Sequence, residues 1–335
     1  MTAQRSEPPS WSGPRQRVPI AGPLLCLALV AVVSAPLAAA EPGPPAGDGP
    51  HTVVDDEGTS VAIDGLPQRI ISLSPAITET VFALGAGDRL VGGTESDDYP
   101  AEAVALPDVA TYSGVIMERL VDLAPDLVLA GGNGLTSADD IARLRELGLP
   151  VVVLYAPDVD AVAADIELIG AAIGETTAAG DVVAALDTRM ADITAAAGAA
   201  SSRPRVFYEL GADSEIYAPA PGSFLADMIV RAGGEPITTG DPALWSIPLE
   251  SLLVADPEVI VLGDAAYGTC PDAVAVRPGW ASMSAIRTGA VRPVDDVVVT
   301  RPGPRLADGL AELAQAIHPE LQLDLVADPG LCAAA

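Results

Sequence analysis

Two glutamates, four loop aromatics and two arginines are the residues of this chain whose type and spacing could do chemistry. Glu118 and Glu250 stand 132 positions apart in two copies of one motif, residues 116–129 and 248–261. At the same offset Leu120 falls on Leu252, Pro125 on Pro257 and Asp126 on Glu258. Each copy reads as a short helix, a proline stop and a buried parallel strand, because the apolar spacing is helical before the proline and unbroken after it. Two such units this far apart imply two similar lobes, and two lobes imply a cleft.

In open parallel sheets, ligands sit beyond the carboxyl ends of the strands, at the loops. Those loops hold most of the scarce aromatic residues. Tyr99 follows the second expected strand, Tyr112 precedes the first motif copy, Trp245 precedes the second, and Tyr267 follows its strand. Only 4% of the chain is aromatic. A core would claim such side chains first, so their placement in loops points to flat rings facing a cleft. Each could equally be a packed loop anchor. Trp280 reads as packing for its own helix. Arg301 and Arg305 follow the last expected strand at 297–299, and Arg301 could donate to ligand amides, carboxylates or phosphates. Bracing of a loop is the alternative for it. Ser74 and Glu79 lie at the start of the first expected helix, where unpaired N–H groups face the cleft.

Other chemistries are disfavoured. The chain has two His, at 51 and 318, and no Cys or carboxylate cluster with ligand spacing, so metal ligation by the protein itself is not expected. No G-x-S-x-G elbow, phosphate loop or positioned His base appears, which argues against an enzyme. The formal charge is −29 with no Lys, which excludes nucleic acid as a natural partner. The acidity and the Ala-rich, Lys-free composition also fit a GC-rich genome, so they say little about a site.

The elements that must position these residues follow in order. Arg15 and Arg17 precede an apolar run and the small-residue stretch 36–40, the pattern of an export signal cleaved before Glu41. An uncleaved anchor is the alternative. Cys26 follows Leu25 rather than a small residue, so no lipid anchor is expected. Export leaves Cys270 and Cys332 in an oxidising compartment. A disulfide between them would tie down the tail; two buried thiols are the other reading. The expected organisation is a signal peptide (1–40), a linker and small hairpin (41–65), an N-terminal α/β lobe (66–157), a helical spine (158–200), a C-terminal α/β lobe (203–325) and a tail (326–335). Strands alternate with helices across short links, which gives the α/β class with parallel sheets flanked by helices.

Taken together, Arg69–Glu79, residues 96–100, Glu118–Leu129, residues 205–208, 222–224, 245–261, 277–280 and 301–305 resemble the extracytoplasmic substrate-binding proteins of ABC importers for metal chelates. The likeness spans residues 67–319 and is strongest to the cobalamin-binding members. It implies two lobes joined by a long backbone helix, a ligand held between them, and an extracytoplasmic monomer that is not an enzyme and has no cofactor of its own. The cargo would be a corrinoid, with a ferric siderophore or haem as the alternative. Tyr208 and Tyr267 are the phenols that a haem iron could use. Members of the family carry one surface Glu per lobe that docks on permease arginines, and Glu118 and Glu250 match those positions. The implied partners are therefore a permease and its ATPase. Cobalamin binders place aromatics where Tyr99, Tyr112 and Trp245 stand, and some carry Trp at the second of these.

Overall fold

The computed structural model describes residues 49–325 and 331–332. The expected export segment, residues 1–40, lies outside them. Strands β1 (His51–Val54) and β2 (Ser60–Ile63) pair antiparallel around Gly58. Asp55 holds that turn: Oδ1 accepts from the backbones of Glu57 and Thr59, and Oδ2 accepts from Arg145.

The first lobe follows. Its elements are β3 (Ile70–Ser72), α1 (Pro75–Ala83), β4 (Leu90–Thr94), β5 (Asp108–Thr111), β6 (Gly114–Val115), α2 (Met117–Asp122), β7 (Leu127–Gly131), α3 (Ala138–Glu146) and β8 (Val151–Leu154). The sheet order is β6-β5-β4-β3-β7-β8, parallel throughout except that β6 returns antiparallel along β5. Every residue of β7 and β8 is buried. That is why both are continuous aliphatic runs rather than alternating ones.

Helices α4 (Ala161–Ile173) and α5 (Thr176–Gly198) join the lobes. Gly174 breaks them at φ 78°. They then pack closely, since a Cβ on Gly170 would lie 2.4 Å from the Cβ of Ala179. The second lobe contains β9 (Arg205–Glu209), α6 (Phe224–Arg231), β10 (Glu235–Pro236), α7 (Leu249–Ala255) and β11 (Val259–Leu262). It continues with α8 (Pro271–Ala275), α9 (Ser284–Thr288), β12 (Val291–Pro293), α10 (Asp296–Thr300) and α11 (Leu306–Ile317). Its parallel sheet runs β10-β9-β11-β12, which repeats the β4-β3-β7-β8 part of the first. Cys270 and Cys332 are disulfide-bonded, 62 residues apart, with Leu331 and Cys332 packed on the second lobe's core.

The duplicated motif proves to be one bonding device used twice. After α2, Ala124 takes φ 43°; after α7, Asp256 takes φ 45°; each stands directly before the proline. Nε of Arg69 donates to the carbonyls of Leu123 and Ala124, and Nε of Arg205 donates to those of Ala255 and Asp256. Asp126 accepts from the backbone N–H of Arg69, and Glu258 accepts from that of Arg205. An arginine at the head of the first strand therefore satisfies a helix end that would otherwise leave open carbonyls.

Two local expectations are corrected. Residues 297–299 are helical, in α10, not a strand: Asp295 accepts the Val297 N–H as a cap, and that outweighs the β-branched preference. The last strand is β12, just before it. The helix expected to carry Trp280 divides into a 3-10 turn at Trp280–Ser282 and α9. At the start of α4, Asp158 accepts the Ala161 N–H as a cap, and Asp160 pairs with Arg231. Ser74 precedes α1 without a side-chain cap bond. Among the described residues no helix is long and apolar enough to cross a membrane.

Candidate functional site

The loops at the carboxyl ends of the strands face a cavity of about 350 Å³. Its walls come from both lobes and the spine: Pro75 and Leu135 from the first, Ile166 and Ile169 of α4, and Val297 and Arg301 from the second. A neighbouring cavity of about 380 Å³ lies wholly on the first lobe and takes in Glu95, Tyr112, Thr136 and Asp140. Pro75 and Leu135 line both, so the two adjoin. Volumes of this size suit a small-molecule site.

The β5–β6 ribbon sets Tyr112 at its tip. Thr111 pairs with Gly114, and Glu95 Oε1 accepts the Tyr112 N–H at 2.6 Å. The side chain is fully exposed. Trp245 is held by its backbone: its carbonyl accepts from Ala218, beside a bridge between Tyr217 and Ser246. Trp245 is half-exposed, and Leu244 beside it in chain and Tyr217, bridged to Ser246, are also exposed. Tyr267 sits exposed on the 3-10 turn Ala265–Tyr267 after β11. Trp245 and Tyr267 line neither of these two cavities. Trp280 is buried, edge-on to Phe207, with Arg277 over its face.

Tyr99 and Arg301 meet in one cluster across the lobes. Glu79 of α1, its side chain 1% exposed, accepts from Nη1 of Arg301 at 2.5 Å and from Nε and Nη2 of Arg305 at 2.9 and 2.5 Å. Asp98 takes a second bond from Nη1 of Arg301 at 2.6 Å, and the Arg305 guanidinium lies 4.0 Å over the Tyr99 ring. Burial opposes charge on both arginines, yet their acidic partners hold both pKa values above the ordinary arginine value. Arg301 is thus a cavity wall already neutralised by the protein, not the free donor its loop position implies. Both of its bonds use Nη1, which leaves Nη2 and Nε for another acceptor.

One buried phenol and a group of carboxyls complete the surroundings. Tyr208 is fully buried and donates to Asp296 at 2.7 Å, so it is withdrawn as a ligand for iron. Asp165, on the wall of the first cavity, is pushed up to about 8 by burial and by the nearby charge of Asp56. Burial also raises Asp296 and Asp97. Among the described residues no group of three or more His, Cys, Asp or Glu is placed to hold a metal ion.

Glu118 and Glu250 are exposed near the starts of α2 and α7, one on each lobe. Sequence reasoning missed Asp98, Tyr155, Asp165 and Tyr217. The acid pair before Tyr99 and the four-residue spacing of Arg301 and Arg305 were the signals that could have exposed the cluster.

A family model for periplasmic binding proteins matches residues 70–298. The chain is 33% identical over 275 residues to an uncharacterised ABC transporter substrate-binding lipoprotein of Bacillus subtilis, covering 81% of this chain and 86% of that one. It is 31% identical over 313 residues to a cobalamin-binding protein of Halobacterium salinarum, covering 88% and 84%. Among solved structures it is similar to a periplasmic haem-binding protein of Roseiflexus sp. in apo form, with a TM-score of 0.66, 26% identity, and coverage of 75% and 98%.

Proposed function

The chain belongs to the periplasmic binding protein family, and from that premise we propose that it captures a corrinoid between its lobes outside the cytoplasm and hands it to an ABC importer. The observation that carries this reading is the exposure of Tyr99, Tyr112, Trp245 and Tyr267 on strand-end loops of both lobes, in a chain so poor in aromatics. Exposed rings lose little by covering a large flat ligand and gain contact area when they do. Arg301, with its charge answered by Glu79 and Asp98 and donors to spare, suits the side-chain amides of a corrin ring. The cobalamin-binding relative supports the same ligand class.

The protein itself contributes grip and orientation; the metal arrives in its chelate. Glu118 and Glu250 serve as the permease contacts, one handle per lobe. Rim charges of this kind set register and on-rate more than affinity. Haem is the second reading, favoured by the solved haem-binding neighbour and by the exposed phenols of Tyr112 and Tyr267.

The test is a fluorescence titration of the mature protein with cyanocobalamin, haemin and a ferric hydroxamate in parallel. Saturable quenching by cyanocobalamin at the lowest concentration supports the corrinoid. Saturation by haemin or the hydroxamate alone replaces it.

A further inference from the structure

Arg301, among the described residues the one guanidinium on the walls of these two cavities, and two further arginines of the second lobe are answered by carboxylates of the protein. Arg277 places Nη1 and Nη2 on the two oxygens of buried Glu209, each at 2.7 Å. Arg301 gives Nη1 to Glu79 and Asp98, and Arg305 gives Nε and Nη2 to Glu79. The remaining ionisable groups on the two cavity walls, apart from Tyr112 and Tyr155, are acids: Asp165 and Asp296 on the first, Glu95 and Asp140 on the second. A ligand anion entering here would shed water and meet the carboxylates of Glu95 and Asp140 and the buried carboxyls of Asp165 and Asp296, with no unanswered cation to replace that water. A neutral or cationic ligand would meet no such opposition, and its carbonyls could still take the N–H groups of Arg301 that the acids leave over.

Glu79 is the hub of this arrangement. It lies on the first lobe, and its two arginines come from the segment after α10, which rests on α1; a Cβ on Gly303 would lie 3.5 Å from the Ala76 carbonyl oxygen. We infer that Glu79, seconded by Asp98, is a specificity-determining residue: it cancels Arg301 and Arg305 so that the cleft accepts uncharged or cationic metal chelates and rejects anionic ones. This rests on the reading of the cleft as a chelate site and adds the charge class of the chelate.

The experiment compares the mature wild-type protein with Glu79→Gln, Asp98→Asn and the double variant. Binding is measured by calorimetry at low ionic strength with cyanocobalamin (no net charge), aquocobalamin (a cation) and haemin (two propionates). Wild type should favour aquocobalamin over cyanocobalamin, with the preference shrinking as salt is added. The double variant should gain at least tenfold in haemin affinity and lose that preference. Asp98→Asn, an exposed change that keeps an oxygen acceptor, should move both in the same direction by a smaller factor. If the buried Glu79→Gln variant unfolds by circular dichroism, Asp98→Asn alone decides. Tight haemin binding by wild type, or folded variants whose affinities for the three probes are unchanged or move in parallel, overturns the assignment. If wild type binds no corrinoid yet the variants gain haemin, the corrinoid reading fails and the role of Glu79 stands.

Discussion

At the scale of single residues, the cleft separates side chains that present a face from those that hold another group in place. Trp245 is held by backbone bonds on both sides of its loop while its ring stays half-exposed, so truncation should cost binding and little stability. Trp245→Ala is expected to weaken cyanocobalamin about tenfold, near 1.4 kcal/mol, by loss of aromatic contact. Calorimetric Kd values, with the melting temperature as control, check this; an unchanged Kd removes Trp245 from the site. Arg301 teaches the converse. Its loop position made it readable as a cleft donor, but its partners could not be read. Glu79 and Asp98 lie more than 200 positions away in the chain, and no local pattern connects them to it. The aromatics were legible because they are few, and scarcity is a property of composition. Ion pairs between lobes belong to tertiary placement, which composition does not encode.

At the scale of elements, the twin motif is where sequence and structure agree most closely. The proline after each helix, the acid after the proline and the arginine heading the first strand recur in both lobes and make the same bonds. A bonding device repeated intact leaves its letters at a fixed offset, and so it could be seen. The short β5–β6 ribbon and the helical α10 left no such trace: one is four residues against two, and the other is decided by a single cap at Asp295. The matched helices also carry the docking proposal. Glu118→Arg with Glu250→Arg should leave cyanocobalamin affinity unchanged and slow uptake by cells at least tenfold, since both acids are exposed and neither lines the two cavities. Binding and radiolabel uptake measured on one variant separate the two, and normal uptake ends the docking assignment. Ala124 supplies a stability check on the same device. Its φ of 43° is costly for a residue with a Cβ, so Ala124→Gly should raise stability by about 1 kcal/mol in urea unfolding. The disulfide gives another: reducing Cys270–Cys332 releases a loop spanning 62 positions and should lower stability by roughly 4 kcal/mol.

At the scale of the whole molecule, acid in excess makes pH the natural lever on stability. Asp165, Asp97, Glu209 and Asp296 are all held above the ordinary carboxyl value, chiefly by burial. Their linkage runs opposite to that of salt-bridged acids. Below about pH 4 Asp165 is protonated both folded and unfolded, and contributes nothing. As pH rises, the unfolded chain releases that proton near the ordinary 3.8 while the folded chain keeps it to about 8. Folding is penalised progressively through that window, and the full cost is present above it. Repulsion among the protein's many carboxylates grows over part of the same range, so wild type alone cannot assign the slope. The difference from Asp165→Asn can. That variant should melt like wild type near pH 4 and progressively higher than wild type toward pH 8. Asp56→Asn keeps an oxygen for the Tyr155 N–H and removes the charge that helps raise Asp165. It should shift the window to lower pH without abolishing it. Thermal unfolding of the three proteins from pH 4 to pH 9 decides: a gap between Asp165→Asn and wild type that stays constant with pH would mean that this carboxyl ionises as it does in the unfolded chain.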